Sequence, residues 1–191
     1  MLSVGGPVIS VLFLFLLRIK ELRTKRPSQP GTVREKLTLR LFLLTGILMI
    51  TGSLTEFLWR GGNLRWTAFI AGWSLALLSF VLRRWAITTL GRYWSLHVEI
   101  RQNHRLIKAG PFRWLRHPTY LSMALELFAG GLILNAVYTS AVIFPLFVAI
   151  LIYRLRLEET ALVEKFGDAY RTYQRETPAL FPYKWPTIKK I

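Results

Sequence analysis

Long apolar stretches alternate along this chain with short basic ones. The apolar stretches are residues 1–17, 41–59, 66–82 and 119–153. Their only charged residues are Glu56 and Glu126. Because a helix needs about 20 apolar residues to cross a hydrocarbon core about 30 Å thick, stretches of this length indicate membrane-spanning helices. The pattern therefore predicts an integral membrane protein.

The last apolar stretch is too long for one membrane helix, since the 35 residues of 119–153 would extend about 52 Å as a helix. We predict a hairpin of two short or tilted helices that turns in the polar region 135–140. The five predicted membrane helices lie near residues 3–18, 41–59, 66–84, 119–135 and 139–156. The predicted fold class is all-α and polytopic, with a cytoplasmic cofactor-binding region. Residues 1–85 would hold the first three helices and a basic loop, and residues 86–191 the catalytic region.

Positive charge is separated from the apolar stretches. The 26 Lys and Arg residues outnumber 10 Asp and Glu, which gives a net charge of +16. Residues 18–40, 83–116 and 154–191 hold all of these Lys and Arg residues except Arg60 and Arg65. Because positive loops are retained in the cytoplasm, five spans place the three segments there, with the N-terminus outside. The charges follow the first apolar stretch rather than precede it, so an anchor is expected rather than a cleaved signal peptide.

Composition argues against several kinds of site. The chain has no cysteine, which excludes disulfides, thiolate metal sites and cysteine nucleophiles. The spacing of His97, His104 and His117 resembles no common zinc pattern, so no metal is expected. The basic residues gather at membrane boundaries, where topology and anionic headgroups account for them. A nucleic-acid partner, which requires a basic groove or helix face, is not expected.

The start of the predicted fourth helix is suited to binding an anion. Pro118 fits the first turn of a helix, where its missing N–H is no loss, and His117 would then stand at the helix N-terminus. The free N–H groups and the positive dipole end favour a carboxylate there, such as that of a methionine-derived cofactor. Simple capping of the helix next to lipid headgroups accounts for the same residues equally well.

Charged residues in the last two membrane helices are further candidates. Arg154 and Glu158 are four residues apart and share a helix face, although a surface ion pair would have the same spacing. Glu126 is a candidate for a substrate or cofactor cavity, because ionisable residues within spans are costly. Glu56 lies near a helix end, where snorkelling to the surface explains it. A further apolar stripe predicts a helix at the interface or packed on the spans: Leu162, Val163, Phe166, Tyr170 and Tyr173.

Six short motifs follow one another between Leu90 and Pro182. They are Leu90-Gly91-x-x-Trp94-Ser95, His104-x-Leu106-Ile107, Gly110-Pro111-Phe112, Arg116-His117-Pro118-x-Tyr120, Arg154 with Glu158-Glu159, and Phe166-Gly167-x-x-Tyr170. In this order and spacing they closely resemble the isoprenylcysteine carboxyl methyltransferase family, especially its short prokaryotic members. This family is part of a wider group of membrane methyltransferases that includes phospholipid N-methyltransferases.

The resemblance implies an enzyme that uses S-adenosylmethionine to methylate a lipid-like carboxylate at the cytoplasmic membrane face. By the family's pattern, the cofactor would be bound by His97, His104, Arg105, Leu106, Ile107, Phe112, His117, Pro118, Thr119, Tyr120 and Glu158. Arg154 would hold the acceptor's carboxylate and, with Glu158 and Glu159, form the catalytic set. Glu126 is the second substrate-binding candidate. Phe112 stands where the family more often has tyrosine, and His97 where eukaryotic members often have glutamine.

The nature of the methyl acceptor leaves other functions open. A carboxylate is already ionised near pH 7, so the enzyme would only position it for in-line attack and exclude water. Its prenyl or acyl chain would enter laterally from the bilayer. Methylation of a phospholipid amine would need a base, such as Glu159 or His117. A membrane reductase that uses NADPH is disfavoured because no Gly-rich dinucleotide turn is present, and a non-enzymatic scaffold would leave the clustering of His, Arg and Glu unexplained.

Overall fold

Within the described residues, five helices occupy the positions of the five predicted membrane helices. The structure is a computed structural model that describes residues 2–23, 31–35, 37–94, 98–101 and 106–184. The helices are α1 (Leu2–Arg23), α2 (Leu37–Trp59), α3 (Trp66–Leu90), α4 (Pro118–Ile133) and α5 (Val137–Phe166). Within the described residues, α2, α3 and α5 are long and apolar enough to cross a membrane, whereas α4 is a shorter apolar helix. The predicted all-α, polytopic membrane architecture is confirmed.

A short pair of strands, which the sequence did not predict, connects two of the basic segments. Strands β1 (Gly31–Glu35) and β2 (Val98–Arg101) pair in antiparallel fashion, with Gly31 opposite Arg101. They lie where α3 ends and α4 begins, at what we call the basic end of the bundle. The opposite end, where short turns join α2 to α3 and α4 to α5, is the outer end. The pairing places the first two basic segments on the same side of the bundle.

Glu56 fixes the turn between α4 and α5 at the outer end. This turn comprises residues 134–136 and is therefore shorter than the predicted region 135–140. The Glu56 carboxylate accepts hydrogen bonds from the backbone N–H groups of Tyr138 (3.1 Å) and Thr139 (2.8 Å). These groups lie at the positive end of α5, where an anion is stabilising. The expectation that Glu56 snorkels to the surface is wrong, because the residue is buried and caps a neighbouring helix.

Helix α5 continues well past the predicted end at residue 156. Its 30 residues extend about 45 Å, so that its last turns project beyond a hydrocarbon core of about 30 Å. The helix stops at Gly167, whose positive φ of 55° suits glycine, and α6 (Asp168–Glu176) follows. The stripe predicted for one helix is thus divided between two, and Tyr170 and Tyr173 of α6 are buried against the bundle.

Two apolar clusters hold the helices together. The outer cluster contains Val11, Phe57, Ile133, Leu134 and Ala136, and the inner cluster contains Phe42, Tyr120, Phe147, Leu151 and Leu155. Helices α3 and α4 approach closely at Gly72, where an added Cβ would lie 2.7 Å from the Ile133 side chain; small residues allow such contacts between membrane helices. The predicted division after residue 85 falls inside α3, which packs on α4.

Candidate active site

A cavity of about 360 Å³ lies among helices α1 to α5. At the basic end its wall contains Leu106, Ile107, Phe112, Tyr170 and Tyr173. Its polar wall contains Arg18, Arg83, Arg116, His117, Thr119, Tyr120, Glu126, Arg154 and Glu158. Its apolar wall includes Val11, Leu14, Phe15, Leu43, Gly46, Met49, Ile50, Met123, Leu127 and Gly130. One cavity therefore joins charged groups near the basic end to an apolar region between membrane helices.

The segment after α6 fixes the start of α4. His117 immediately precedes Pro118, the first residue of α4, as the sequence predicted. The backbone N–H groups of Arg116 and His117 donate to the carbonyl oxygens of Pro178 (2.9 Å) and Ala179 (3.0 Å). This pairing orients the first turn of α4 and the His117 side chain, which is 4% exposed.

Helix α6 holds the turn that precedes α4. Residues Gly110–Arg113 form a short 3-10 turn. The Tyr173 hydroxyl donates a hydrogen bond of 2.5 Å to the carbonyl oxygen of Phe112. Burial raises the pKa of Tyr173 and that of Tyr170, so both hydroxyls remain protonated and able to donate. The predicted Phe112 is thereby kept in the cavity wall through its backbone.

Glu159 organises the residues behind the cavity. Its carboxylate accepts hydrogen bonds from Arg116 Nε (2.7 Å) and Gln174 Nε2 (3.0 Å), and it lies 3.1 Å from His117 Nε2. Arg116 also donates to the carbonyl oxygens of Gln174 (3.0 Å) and Thr177. Glu159 is not among the cavity-lining residues of the described chain, so it acts on the site by holding its neighbours.

Tyr120 connects the two residues of α5 that face the cavity. Its hydroxyl donates to the Glu158 carboxylate and accepts a hydrogen bond from Arg154 Nε at 3.0 Å. Arg154 Nη1 donates to Thr38 Oγ1 of α2 at 2.8 Å. The Tyr120 ring is stacked on His117, with ring centroids 5.3 Å apart. The predicted residues His117, Tyr120, Arg154 and Glu158 thus form one connected group on the cavity wall.

A second charged group lies deeper among the helices. Arg83 Nη1 of α3 contacts the Glu126 carboxylate of α4 at 2.6 Å. Arg18 Nη1 of α1 contacts Glu21 at 3.0 Å, and its Nε lies 3.9 Å from Glu126. Glu126 therefore lines the cavity, as predicted, but as the partner of two arginines. From the sequence, both arginines are predicted to be membrane-boundary charges, because each follows an apolar stretch.

The other predicted residues have three outcomes. Leu106, Ile107, Phe112 and Thr119 lie on the cavity wall with the group around Tyr120. Pro118 is buried beside the wall, at the start of α4. The remaining cofactor-binding candidates, His97, His104 and Arg105, lie outside the described residues.

Several wall residues were not predicted. They are Arg18, Arg83, Tyr93, Trp94, Arg116, Tyr170 and Tyr173. Trp94, Arg116 and Tyr170 are positions of the family motifs, so the motifs contain the signal for them. For Arg18 and Arg83, charges within one turn of a span give no pattern that separates a cavity residue from a boundary residue.

Comparison with known proteins gives a consistent match. The sequence model of the isoprenylcysteine carboxyl methyltransferase (ICMT) family matches residues 72–164. The uncharacterized protein YpbQ of Bacillus subtilis is 33% identical over 100 residues, which cover 49% of this chain and 59% of YpbQ. Protein-S-isoprenylcysteine O-methyltransferase B of Arabidopsis thaliana is 27% identical over 118 residues, which cover 59% of this chain and 58% of that protein.

A solved structure shares the fold. The eukaryotic intramembrane Ras methyltransferase ICMT superimposes with a TM-score of 0.61 at 25% identity, covering 73% of this chain and 53% of that one. The chain thus spans between half and three-fifths of the length of these relatives. The resemblance drawn from the sequence motifs is confirmed.

Proposed function

We propose that this protein is a membrane methyltransferase that uses S-adenosylmethionine, because the sequence model of the isoprenylcysteine carboxyl methyltransferase family matches its residues 72–164. Its acceptor is a carboxylate attached to an apolar chain, of the isoprenylcysteine type, and the basic end faces the cytoplasm. The main support is the cavity, in which Arg154, Tyr120 and Glu158 adjoin an apolar region between helices. A water-soluble acceptor would have no use for that apolar region.

The chemistry of the wall at the basic end fits the cofactor. Leu106, Ile107 and Phe112 offer apolar contacts for an adenine ring. The Glu158 side chain, which is 35% exposed, presents a carboxylate suited to a positively charged group. The N-terminus of α4, next to His117, suits a carboxylate. When bound, the cofactor supplies an activated methyl group on a sulfonium sulfur.

Arg154 is the residue best placed to hold the acceptor. It is 4% exposed and lines the cavity, and bonds to Tyr120 and Thr38 fix its guanidinium. A guanidinium fixed in this way can orient a carboxylate, and orientation is the main requirement because the acceptor is already ionised. Arg83 also lines the cavity, but its guanidinium is already paired with the Glu126 carboxylate at 2.6 Å.

The structure gives the amine alternative less support. An amine must lose a proton to a base, and Glu159 is one of the two candidate bases. Its carboxylate, however, is already held by Arg116 and Gln174 and lies next to His117. A carboxylate stabilised by such bonds is a weak base. Carboxylate methylation, which needs no base, is therefore the function that the site supports best.

Methyl transfer by the purified full-length chain in lipid nanodiscs tests this function. Radiolabelled S-adenosylmethionine would be supplied with N-acetyl-S-farnesylcysteine, with its methyl ester, or with phosphatidylethanolamine. We expect a base-labile methyl ester from the first acceptor and nothing from its ester. Label in the phospholipid alone would instead establish N-methylation, and label in no acceptor would refute the proposal.

Arg154→Ala tests the proposed acceptor contact. We expect turnover to fall by at least about 100-fold, the loss typical of a positioning group, while calorimetric affinity for S-adenosylhomocysteine stays within about threefold. Arg156→Ala is the matched control, because Arg156 is exposed on the same helix two residues away. Loss of cofactor affinity together with turnover would contradict an acceptor role for Arg154.

A further inference from the structure

The five glycines of helices α2, α3 and α4 fall into two groups. Gly52, Gly72 and Gly131 are packing positions, because an added Cβ would lie 2.8, 2.7 and 2.1 Å from side-chain atoms of neighbouring helices. Gly46 of α2 and Gly130 of α4 are different: an added Cβ at either would meet no described atom within 4 Å. Both residues line the cavity. Their missing side chains therefore leave space in the cavity rather than permit helix contact.

Helix geometry shows that both positions face into the cavity. On α4 the cavity-lining residues are Thr119, Tyr120, Met123, Glu126, Leu127 and Gly130. On α2 they are Leu39, Phe42, Leu43, Gly46, Ile47, Met49 and Ile50. Intervals of three and four residues define one face of a helix. Gly46 lies in the middle of its face, and Gly130 continues the face of α4, so a side chain at either position would enter the cavity.

The two glycines lie at a similar depth. Gly130 is ten residues beyond Tyr120 on α4, or about 15 Å along the helix, and Gly46 is eight residues beyond Thr38 on α2, or about 12 Å. Tyr120 and Thr38 are both hydrogen-bond partners of Arg154, so these distances start from the same guanidinium. Near this depth the cavity wall includes Val11 and Met49, which are almost fully buried.

We propose that Gly46 and Gly130 set the length of the acceptor's apolar chain, whose far end lies between them. The inference rests on the proposed function, because it takes Arg154 as the site of the acceptor's carboxylate. A side chain added at Gly130 would occupy the space of the terminal carbons and exclude long chains but not short ones. Each methylene kept from burial weakens binding by about fourfold.

Gly130→Leu and Gly46→Leu test this assignment with a graded set of acceptors. The acceptors are N-acetylcysteine thioethers that carry prenyl, geranyl, farnesyl or geranylgeranyl chains. Binding would be measured as ligand-induced thermal stabilisation at fixed detergent composition, and turnover as KM. For the wild type we expect affinity to rise with chain length. In Gly130→Leu the two longest chains should lose at least about tenfold in affinity, while the prenyl compound is unchanged.

Two further variants separate chain selection from a general disturbance of the fold. Gly6→Leu places the same side chain at an exposed glycine of α1 with open space around it, and should leave the chain-length profile unchanged. Gly130→Ala adds one carbon and should give a smaller effect of the same form. Equal weakening of all four acceptors by Gly130→Leu, or an unaltered profile, would overturn the inference.

Binding and turnover together distinguish the two proposals. One outcome is that affinity depends on chain length, that Gly130→Leu weakens only the longest chains, and that no acceptor is methylated. This outcome would refute the proposed function and support the assignment of the glycines. Methyl transfer with the same profile in the wild type and both leucine variants would support the function and refute the assignment. Wild-type binding that does not depend on chain length would also refute the assignment.

Discussion

Glu158 and Glu159 are adjacent in sequence, yet we predict that removing the first impairs catalysis and removing the second impairs stability. Glu159 binds Arg116 at 2.7 Å and lies behind the cavity wall, whereas Glu158 lines the cavity and accepts a bond from Tyr120. We expect Glu159→Ala to lower stability and Glu158→Ala to lower turnover and cofactor affinity. The pair forms its own matched control, since both changes remove one carboxylate from the same helix.

The magnitude follows from the burial of the ion pair. The side chains of Arg116 and Glu159 are 10% and 16% exposed. Breaking a buried pair by removing one partner costs about 3–5 kcal/mol. Arg116 would retain its bonds to the carbonyl oxygens of Gln174 and Thr177, which reduces the expected cost of Glu159→Ala to about 2–3 kcal/mol. The cost of Glu158→Ala should be about 1 kcal/mol or less, because this side chain is partly exposed.

Two measurements on each variant check this prediction. Unfolding by denaturant in a fixed detergent gives the difference in stability, and calorimetric titration with S-adenosylhomocysteine gives cofactor affinity. Glu159→Gln keeps one acceptor oxygen and should recover part of the lost stability. If Glu159→Ala were as stable as the wild type but inactive, Glu159 would contact the reacting groups and its placement behind the wall would be refuted.

Two further predictions concern charges buried elsewhere in the bundle. Glu56→Ala removes the cap of α5 and should cost about 2 kcal/mol of stability in the same unfolding assay. Thr55→Ala, at an exposed neighbouring residue, is the control and should cost less than about 0.5 kcal/mol. Equal costs for the two variants would contradict the capping role. Arg83→Met and Glu126→Leu should each destabilise the protein, because each removes one partner of the contact between a buried arginine and a partly buried glutamate. The double variant should regain part of the loss. Additive losses in that double-mutant cycle would show that the 2.6 Å contact does not couple the two residues.

The membrane helices could be predicted from the lengths of the apolar stretches. The site could be predicted only in part, because it depends on contacts between residues that are far apart in the sequence. The spans follow from the thickness of the hydrocarbon core, which any apolar stretch must match. The role of Glu56 depends on which N–H groups lie opposite it, and the sequence does not reveal that partner. The same is true of the pairing between His117 and Ala179, which joins segments more than sixty residues apart. Family motifs identified His117 and Arg154, but only the structure shows that Thr38 completes the group around Arg154.

The two halves of the proposed reaction draw on different parts of the chain. The described residues that are proposed to contact the cofactor, from Leu106 to Glu158, all lie within the 72–164 region that the family model matches. The apolar wall comes largely from α1 and α2, which lie before that region, and Thr38 of α2 also positions Arg154. Helix α2, which the family model does not match, thus contributes to both the charged and the apolar parts of the proposed acceptor site. The similarity over residues 72–164 therefore supports the proposed cofactor site more than the proposed acceptor site, and proteins that resemble this chain in that region can differ in their acceptor.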